Sequence, residues 1–290
     1  MKTLILGATG FIGQNISHQF KNATKVGSKF HDFETGSGYE KFECCDVIID
    51  CVGRYGGLPF NKKYGNRIFY QNSMINLNIK KLIDLLQPKR YIKIYSAVIY
   101  PNTNQLVNEE ILNYFYNPAD SVKWSALPQI NDINYLKQSN IPFDALIVTN
   151  CYGKFDHYDN DKSHIIGSLL SKMSQNPKEV SLIGTGLAKR DFVYAEDIGI
   201  IVKELLKNSP SNQFINVSSS ELFTISEVVN IIVEKYNYSG KILWGDERDN
   251  GVLYKGLDNS KLKLLLQGFN FTSFQKGIDE TIKNFKRLLL

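Results

Sequence analysis

The sequence predicts an α/β protein: a Rossmann-type doubly wound parallel sheet with a smaller, interleaved C-terminal domain. Three observations support this prediction. Short apolar runs alternate with helical patterns through the first half, a glycine-rich turn directly follows the first run, and the second half consists of shorter pieces in the same alternation. Alternating strands and helices are typical of βαβ units, which assemble into parallel sheets.

The strand signals in the first half are short apolar runs bounded by turn residues. They occur at residues 2–6, 24–26, 46–52, 91–96 and 143–150. The run DVIIDCV is continuous, as expected for a parallel strand that is buried on both faces. Helical spacing separates these runs, at residues 11–20, 67–87 and 122–138. Pro88 ends the second helical pattern, and Pro128 within the third predicts a kink or a late start.

The second half predicts shorter elements. Strands are expected at 180–183, 213–217 and 241–244, and helices at 164–174, at 195–207, from Thr224 onward and twice more near the C-terminus. Thr224 and Glu227 form a capping-box signature before an apolar run. Because no flexible linker separates the halves, we predict a first domain of residues 1–163, with a returning segment near 189–217, interleaved with a second domain of residues 164–290.

Composition and charge argue against several classes of protein. The formal net charge of 34 − 29 = +5 is spread along the chain, whereas a nucleic-acid surface shows a concentrated basic patch, so no nucleic-acid partner is expected. No apolar run approaches the ~18 residues of a membrane span, and MKTLILGATG lacks the apolar length of a signal peptide, which predicts a cytoplasmic protein with no membrane partner. The four cysteines lack CxxC spacing and the four histidines are scattered, so no metal site is expected.

A glycine-rich turn, GATGFIG, joins the first strand to the first helix. Gly7, Gly10 and Gly13 permit a tight turn and let backbone N–H groups approach a pyrophosphate at the N-terminus of the helix. The motif is informative because it opens a βαβ pattern, the context that dinucleotide binding requires. The turn therefore predicts a dinucleotide cofactor bound by the first domain.

The end of the second strand indicates which dinucleotide binds. An NAD site usually places an acid there for the ribose 2′-hydroxyl, whereas this chain has Ser28 and Lys29, which suit a 2′-phosphate. We therefore favour NADP(H) over NAD(H). The alternative is that Lys29 is only solvated and that Asp32 reaches back to serve NAD(H).

Seven sequence blocks resemble those of one protein family, in the same order. They are RYGG (54–57), IFYQNSMINLNI (68–79), SAVIYP (96–101), TNCYG (149–153), SH (163–164), RDFVYAEDI (190–198) and LDNSKL (257–262). With the glycine turn they resemble the extended short-chain dehydrogenase/reductases, also called the NAD-dependent epimerase/dehydratase family, and within it the GDP-L-fucose synthase branch. The resemblance implies NADP(H), a nucleotide-linked 4-keto-6-deoxysugar bound by the second domain, epimerisation and reduction of that sugar, and a homodimer formed through helices 67–87 and 122–138.

The family's acid–base residues carry over only in part. Ser96 occupies the position of the serine that holds the keto oxygen, and His164 that of the histidine that moves a proton during epimerisation. The family's cysteine, the partner of that histidine, is replaced by Val98, which cannot transfer a proton. The resemblance therefore implies one remaining proton-transfer group for epimerisation instead of two.

Three cations are candidates for holding the diphosphate of a sugar nucleotide. Arg190 matches the family arginine at this position, and its planar fork suits phosphate. An ion pair with Asp191 or Glu196 is the alternative role for Arg190. Arg248 and Lys255 are weaker candidates for the same anionic ligand.

The family's proton-donating tyrosine, four residues before a lysine, has no counterpart. With Lys123 on the lysine position, the tyrosine position holds Ala119. An ungapped alignment backward from TNCYG gives Ser121 and Ser125 for the pair instead. Neither alignment supplies a tyrosine, so the sequence predicts an atypical active site.

Other aromatic residues are alternatives for the missing donor. Tyr158 to Lys162 is the chain's one Tyr-x-x-x-Lys, but it lies in a polar loop, where this spacing does not place both side chains on one helical face. Tyr114, Tyr116 and Trp124 precede or open the third helical pattern, and each remains open as a residue that enters the site.

The predicted site residues form three sets. Those expected to act in catalysis are Ser96, Lys123 and His164. Those expected to contact the cofactor are Gly7, Thr9, Gly10, Phe11, Ile12, Gly13, Ser28, Lys29, Val52, Gly53, Asn72, Lys123 and Asn150. Those expected to contact the substrate are Ser96, Val98, Asn150, His164, Arg190, Arg248 and Lys255.

Three functions fit this inventory. The first is an NADP(H)-dependent reductase or epimerase of a nucleotide-linked 4-keto-6-deoxysugar. The second keeps the fold and the sugar with non-reductive chemistry, such as epimerisation or elimination, and the third is a non-catalytic nucleotide-binding subunit. We favour an enzyme, because a pure binding protein has little use for Ser96, His164 and Arg190 together.

Overall fold

The structure, a computed structural model, describes residues 1–29, 31–114, 116–158 and 163–289. The strands are β1 Thr3–Leu6, β2 Thr24–Val26, β3 Val47–Asp50, β4 Arg90–Ser96, β5 Phe143–Val148, β6 Asn150–Tyr152, β7 Glu179–Leu182, β8 Lys189–Tyr194, β9 Gln213–Val217, β10 Leu222–Thr224, β11 Lys241–Trp244 and β12 Tyr254–Lys255. The α-helices are α1 Phe11–Gln19, α2 Leu58–Leu86, α3 Lys123–Gln138, α4 Ile165–Ser174, α5 Ala195–Leu205, α6 Ile225–Tyr236, α7 Ser260–Leu265 and α8 Phe274–Leu288.

Six strands form one parallel sheet in the order β2-β1-β3-β4-β5-β9. Alternate residues of these strands point to opposite faces, so each face carries its own apolar core. One core packs under α2 and α3 and includes Ile79 and Ile133; the other packs under α1 and α5 and includes Ile16 and Ile201. The predicted doubly wound α/β sheet is confirmed.

The second helix begins earlier than its apolar pattern predicts. It starts at Leu58 instead of Arg67, directly after Gly57, and Pro59 occupies its first turn. Proline suits that position because its missing N–H has no partner in the first turn of a helix, and its fixed φ is already helical. Non-helical φ and ψ at Tyr64 kink the helix. The early first turn therefore brings α2 up to the loop that follows β3.

The third helix runs continuously through Pro128, without the predicted kink or late start. A proline frees a backbone carbonyl in the preceding turn. In the same turn the Gln129 side chain donates to the Ser125 carbonyl oxygen at 2.8 Å, and the Pro128 carbonyl oxygen accepts Nδ2 of Asn76 from α2. These side-chain bonds stabilise the helix around the proline.

The second half of the chain contains more strands than its sequence predicts. The run 143–150 divides into β5 in the large sheet and β6, which pairs with β8 in a separate small sheet that also contains β10 and β12. β8, β10 and β12 have no apolar run of their own, and they are ordered by pairing with each other. β9 returns to the large sheet, whereas the division of the chain at residues 163 and 164 stays a prediction.

The C-terminal part has a third apolar core, built from α4, α6 and α8 against β7 and β8. The capping box predicted at Thr224 and Glu227 is present at the start of α6. Across the described ranges, no helix is both long and apolar enough to cross a membrane. The same residues contain no group of three or more histidine, cysteine or acidic side chains that could hold a metal ion.

Candidate active site

The glycine turn between β1 and α1 forms a cradle for a pyrophosphate. Gly7 has a φ of +76°, and a Cβ there would lie 2.9 Å from the Cys51 carbonyl carbon. A Cβ on Gly13 would lie 2.0 Å from the Gly7 oxygen, so only glycine fits both positions. No side chain caps α1 at Gly10. The N–H groups that open the helix, from Phe11 onward, therefore remain available to an anion.

The end of β2 packs directly on this turn. A Cβ on Gly27 would lie 2.1 Å from Oγ1 of Thr9, so Thr9 and the end of β2 are in close contact. Ser28 and Lys29 follow and are exposed. The Asp32 carboxylate accepts the N–H of Glu34 at 3.0 Å and is engaged in its own turn.

The loop after β3 crosses the carboxyl edge of the sheet and is held by α2. Asn72, only 1% exposed, accepts the Arg54 N–H at 2.8 Å and donates to the Arg54 carbonyl oxygen at 3.0 Å. Asn61 donates to the carbonyl oxygens of Gly56 and Gly57 at 3.0 and 3.1 Å. Asn72 is therefore buried and orients main chain, and its predicted contact with the cofactor stays a prediction.

Val52 and Gly53, both predicted cofactor contacts, lie in this loop and are half-buried. The Val52 N–H donates to the Asp50 carboxylate at 2.8 Å. The ring of Tyr55 lies against Gly53, where a Cβ would be 2.1 Å from Cε2 of the tyrosine. A tyrosine that the sequence analysis does not single out therefore lies at the carboxyl edge of the sheet.

Ser96 is the last residue of β4, at the same edge. Its N–H donates to Oε1 of Gln129 at 2.8 Å, and its Oγ accepts the Val98 N–H at 3.4 Å. The hydroxyl hydrogen remains free to donate to a ligand. Nδ2 of Asn150 donates to the Asp191 carbonyl oxygen at 2.8 Å, which ties β6 to β8, while its side-chain oxygen stays available.

Lys123, a predicted catalytic residue, is the first residue of α3. Its side chain is 40% exposed, pairs with Asp120 at 3.3 Å and lies 5.3 Å from the Trp124 ring centroid. Ser125, the lysine position in the other alignment, is buried, and its hydroxyl donates to Oδ1 of Asn61. Lys123 is therefore paired with Asp120 and Ser125 is bonded to Asn61, and the catalytic role of Lys123 stays a prediction.

The other aromatic alternatives are engaged elsewhere. Tyr158 packs against Phe285 of α8, with ring centroids 4.6 Å apart, and Lys162 lies outside the described residues. Tyr114 is 72% exposed, and Tyr116 packs against the core under α2 and α3. Trp124 contacts α2, where a Cβ on Gly65 would lie 2.3 Å from its ring.

His164 directly precedes α4 as its N-cap residue, and its side chain forms no capping hydrogen bond. The residue as a whole is exposed, and its imidazole lies near enough to His157 and Lys255 for their charges to act on it. Burial lowers the pKa of its imidazole, and the charges of His157 and Lys255 lower it further. The imidazole is therefore neutral at neutral pH and suited to accept a proton.

Arg190 and Lys255 lie next to each other on β8 and β12, where they are direct partners in the strand register. Arg190 donates to the carbonyl oxygens of Lys189, at 2.8 Å, and Val252. Burial lowers the pKa of Arg190 to about 10, and burial with the charge of Arg190 lowers the pKa of Lys255 to about 8. Within the described ranges no carboxylate forms an ion pair with either cation.

Neither alternative partner of Arg190, Asp191 or Glu196, forms an ion pair with it in the described part of the chain. Asp191 is fully buried and accepts hydrogen bonds from Ser218 and Ser219, so it does not pair with Arg190. Arg248 differs from Arg190 and Lys255, because its side chain is 87% exposed and pairs with Asp246 at 2.8 Å. Two of the three predicted diphosphate ligands are therefore adjacent, and the third lies at the surface.

A buried charged network lies behind the site, between the sheet, α2 and α3. The Asp50 carboxylate accepts Nζ of Lys93 at 2.7 Å and the hydroxyl of Tyr91 at 2.6 Å. The Asp132 carboxylate accepts Nζ of Lys80 at 2.8 Å and the hydroxyl of Tyr95 at 2.6 Å. None of these four charged residues was among the predicted site residues.

The sequence contains a signal for this buried network, because each of two apolar strand runs includes one charged residue. Asp50 interrupts DVIIDCV, and Lys93 interrupts YIKIYS. The register of β3 and β4 pairs these two positions directly. Charges in the middle of buried parallel strands require partners, so the two interruptions together predict a buried ion pair.

A cavity of about 620 Å³ lies at the opposite, amino edge of the sheet. The start of β5 and β9 and the end of α3 line it, with Lys137 and Lys261 among its polar groups. Because ligands of open α/β sheets bind outside the carboxyl ends of the strands, the cavity is not the nucleotide site.

Comparisons with known proteins agree with this arrangement. The model of the NAD dependent epimerase/dehydratase family matches residues 3–218. The GDP-L-fucose synthase of Dictyostelium discoideum is 27% identical over 97% of this chain and 94% of its own length. The GDP-L-colitose synthase of Yersinia pseudotuberculosis is 26% identical over 98% of both chains. The structure of a GDP-L-fucose synthetase from Naegleria fowleri bound to NADP superposes with a TM-score of 0.85 at 22% identity, over 99% of this chain and 93% of that one.

Proposed function

Because the chain belongs to the NAD dependent epimerase/dehydratase family, we propose that it converts a nucleotide-linked 4-keto-6-deoxysugar with NADP(H), by reduction, epimerisation or both. The observation that carries this proposal is the pair of adjacent, half-buried cations, Arg190 and Lys255, that lacks a carboxylate within the described ranges. Buried cations without a counter-ion are costly, and a diphosphate supplies the missing charge. The relatives' names identify GDP-linked sugars as the first substrates to test.

The residues of the glycine turn fit a nicotinamide dinucleotide. Gly7 and Gly13 leave room for the pyrophosphate, and the uncapped start of α1 offers N–H donors. Ser28 and Lys29 support NADP(H), because they are exposed beside the turn and Asp32 is engaged with its own loop. When bound, the cofactor supplies the hydride for reduction of the keto carbon.

Ser96 and His164 would act on the sugar. The free hydroxyl hydrogen of Ser96 donates to the keto oxygen and stabilises the negative charge that develops there. Neutral His164 removes a proton from the carbon beside the ketone, which is acidified by the carbonyl group. With valine at position 98, a second proton-transfer group is missing, so this site supports epimerisation at one centre better than at two.

A homodimer through α2 and α3 is part of the proposal. Tyr70 and Leu77 on α2 are 59% and 60% exposed, and Tyr135 on α3 is 43% exposed. Large apolar side chains left exposed on neighbouring helices favour a protein–protein contact. Sedimentation velocity should give the mass of a dimer, and Leu77→Glu should give a monomer; a monomeric wild-type protein would remove the dimer from the proposal.

The experiment combines two readouts on the purified protein. NADPH oxidation is followed with GDP-4-keto-6-deoxymannose, and products are resolved by NMR in deuterated water. Oxidation matched by a reduced sugar supports a reductase, and Ser96→Ala should slow it. Deuterium uptake without oxidation, abolished by His164→Gln, supports a non-reductive epimerase instead. Binding of both ligands with neither reaction would support a nucleotide-binding subunit and refute the enzyme.

A further inference from the structure

Reduction of a ketone requires a proton for the oxygen as well as a hydride for the carbon, and the family's usual tyrosine is absent here. We propose that the Tyr55 hydroxyl donates this proton and that the Lys93 ammonium stabilises the phenolate that remains. The inference rests on the reductive function proposed above. Neither residue belongs to a motif from which the sequence predicts catalysis.

The loop that carries Tyr55 is fixed on both sides. Before it, Asn72 binds both the N–H and the carbonyl oxygen of Arg54. After it, Asn61 binds the carbonyl oxygens of Gly56 and Gly57. A donor held by rigid neighbours loses little entropy when it meets its substrate, so this double attachment suits a catalytic side chain.

One of the two alignments places the family's lysine at position 125, and the residue at that position helps to fix the Tyr55 loop. Ser125 of α3, the lysine position in the ungapped alignment, donates its hydroxyl to Oδ1 of Asn61. A lysine at 125 would lose this bond. In the ungapped alignment, the lysine position is therefore occupied by a residue that positions the loop of Tyr55.

The Tyr55 hydroxyl itself is available. Its ring packs on Gly53, a predicted cofactor contact, and the side chain is half-buried at the carboxyl edge of the sheet. Within the described ranges its hydroxyl forms no hydrogen bond and is not sealed from solvent. A half-buried tyrosine hydroxyl usually finds a protein partner, so one left free beside a cofactor cradle points to a ligand.

The charge behind Tyr55 suits a proton donor. Burial raises the pKa of Tyr55 to about 12, the ammonium of Lys93 opposes that rise, and the carboxylates of Asp50 and Asp132 add to it. The phenol is therefore protonated at neutral pH, as a donor must be. Asp50 holds the Lys93 ammonium in place at 2.7 Å, and the charge of that ammonium lowers the pKa of Tyr55 against the effect of burial, which reduces the cost of a phenolate.

Other tyrosines lack this combination. Tyr114 is largely exposed on its loop, Tyr116 packs into the core, and Tyr158 packs on Phe285 in the C-terminal part. Tyr91 and Tyr95 are fully buried and already donate to carboxylates. Tyr55 alone among these combines a free hydroxyl, a fixed loop and a nearby ammonium.

The proposed step adds one hydride and one proton to the ketone. Hydride from NADPH forms a C–H bond at the keto carbon, the carbon–oxygen π bond breaks, and the oxygen takes the proton of Tyr55 Oη. The sugar is reduced to the alcohol and NADPH is oxidised to NADP⁺. The Tyr55 phenolate then regains a proton from solvent.

The first test is Tyr55→Phe in the full-length protein, which removes the hydroxyl and keeps the ring on Gly53. NADPH oxidation with the keto sugar should fall by about a hundredfold or more, the usual contribution of a general acid. Affinities for NADPH and for GDP should remain within about twofold, and deuterium exchange through His164 should persist. Tyr116→Phe, which removes a half-buried hydroxyl outside the loop, is the matched control and should leave oxidation unchanged.

The outcomes separate this inference from the proposed function. A wild-type protein that binds both ligands but never oxidises NADPH overturns the reductive function, and the donor role with it. A wild-type protein that turns over while Tyr55→Phe retains more than about a third of its rate overturns the donor role alone.

A second readout needs no turnover. In protein with isotope-labelled tyrosine, the NMR signal that disappears in Tyr55→Phe is assigned to Tyr55. Its position should shift when NADP⁺ and GDP are added together, and an unchanged signal would contradict contact with the ligands. In the variant Lys93→Gln with Asp50→Asn, which keeps hydrogen bonds while removing both charges, Tyr55 should titrate at higher pH; an unchanged or lower titration would refute the role of Lys93.

Discussion

Two groups of buried or half-buried cations flank the candidate site, and they differ in what neutralises them. Lys80 and Lys93 lie behind the site, and carboxylates pair with them at 2.8 and 2.7 Å. Arg190 and Lys255 lie in front of it on β8 and β12, and no carboxylate in the described part of the chain pairs with either. The first group is internally complete, and the second is complete only with an anion.

The pKa values of Lys93 and Lys255, one lysine from each group, follow this difference. Burial opposes the charge of Lys93, but the carboxylates of Asp50 and Asp132 outweigh it and raise its pKa. Burial and the charge of Arg190 both lower the pKa of Lys255, to about 8. The charge of Lys93 is neutralised within the protein, whereas the charges of Arg190 and Lys255 have no such partner and are available to the proposed anionic ligand.

The largest effect is expected from removing a carboxylate that pairs with Lys80 or Lys93. Asp50→Asn leaves the Lys93 ammonium buried without its carboxylate, which should lower the free energy of unfolding by about 3–5 kcal/mol. Urea unfolding measures this loss. Adding Lys93→Met to Asp50→Asn should recover most of it, because no uncompensated charge remains. If Asp50→Asn lowers the free energy of unfolding by less than about 1 kcal/mol, the Asp50 carboxylate is not needed to neutralise Lys93, and the contrast with Lys255 fails.

The second effect concerns Arg190 and Lys255, the neighbouring cations that no carboxylate in the described ranges neutralises. Lys255→Met removes a cation that has no internal partner, so the free energy of unfolding should stay the same or rise. GDP affinity should fall about tenfold to a hundredfold, since hydrogen bonds to charged groups contribute about 1.5–3 kcal/mol. Calorimetric titration checks the affinity. Lys189→Met, on the neighbouring strand β8 and exposed, is the matched control and should bind GDP like the wild type.

The third effect is a pH dependence of the same lysine. Its pKa is lowered on folding from 10.5 to about 8, so between these values the unfolded chain binds more protons than the folded one. Stability should therefore rise with pH across this window, the contribution being unfavourable below about 8. GDP affinity should fall as the pH rises through about 8, because the lysine loses its charge. Both trends should disappear in Lys255→Met; a trend that persists there would assign it to another group.

The smallest effect is expected at Arg248, the exposed third candidate for the diphosphate. Arg248→Gln should change GDP affinity by less than about twofold, because exposed ion pairs such as that with Asp246 contribute little. The same calorimetric titration measures it. A loss of GDP affinity as large as that of Lys255→Met would mean that Arg248 also contributes to binding of the diphosphate.

Local patterns were enough to predict the large sheet and its cofactor cradle. Strand–helix alternation and the glycines at 7, 10 and 13 act within a few residues of each other, so their spacing carries the information directly. The start of α2 was predicted wrongly because its first turns, from Leu58, lack a regular apolar stripe and are set by Gly57 and Pro59 instead. The kink expected at Pro128 was wrong because two side chains support that turn, Gln129 from within the helix and Asn76 from α2.

The sequence by itself determined the fold class, the glycine cradle, and the absence of a tyrosine four residues before a lysine in the expected helix. Only the tertiary structure decided that Lys255 stands beside Arg190, because β12 has two residues and exists through pairing with β8. It also decided that Arg248 stays at the surface and that the ring of Tyr55 lies on Gly53. The physical reason is the same in each case: these contacts join residues far apart in the chain, and strand register and loop attachment fix them where local spacing has no information.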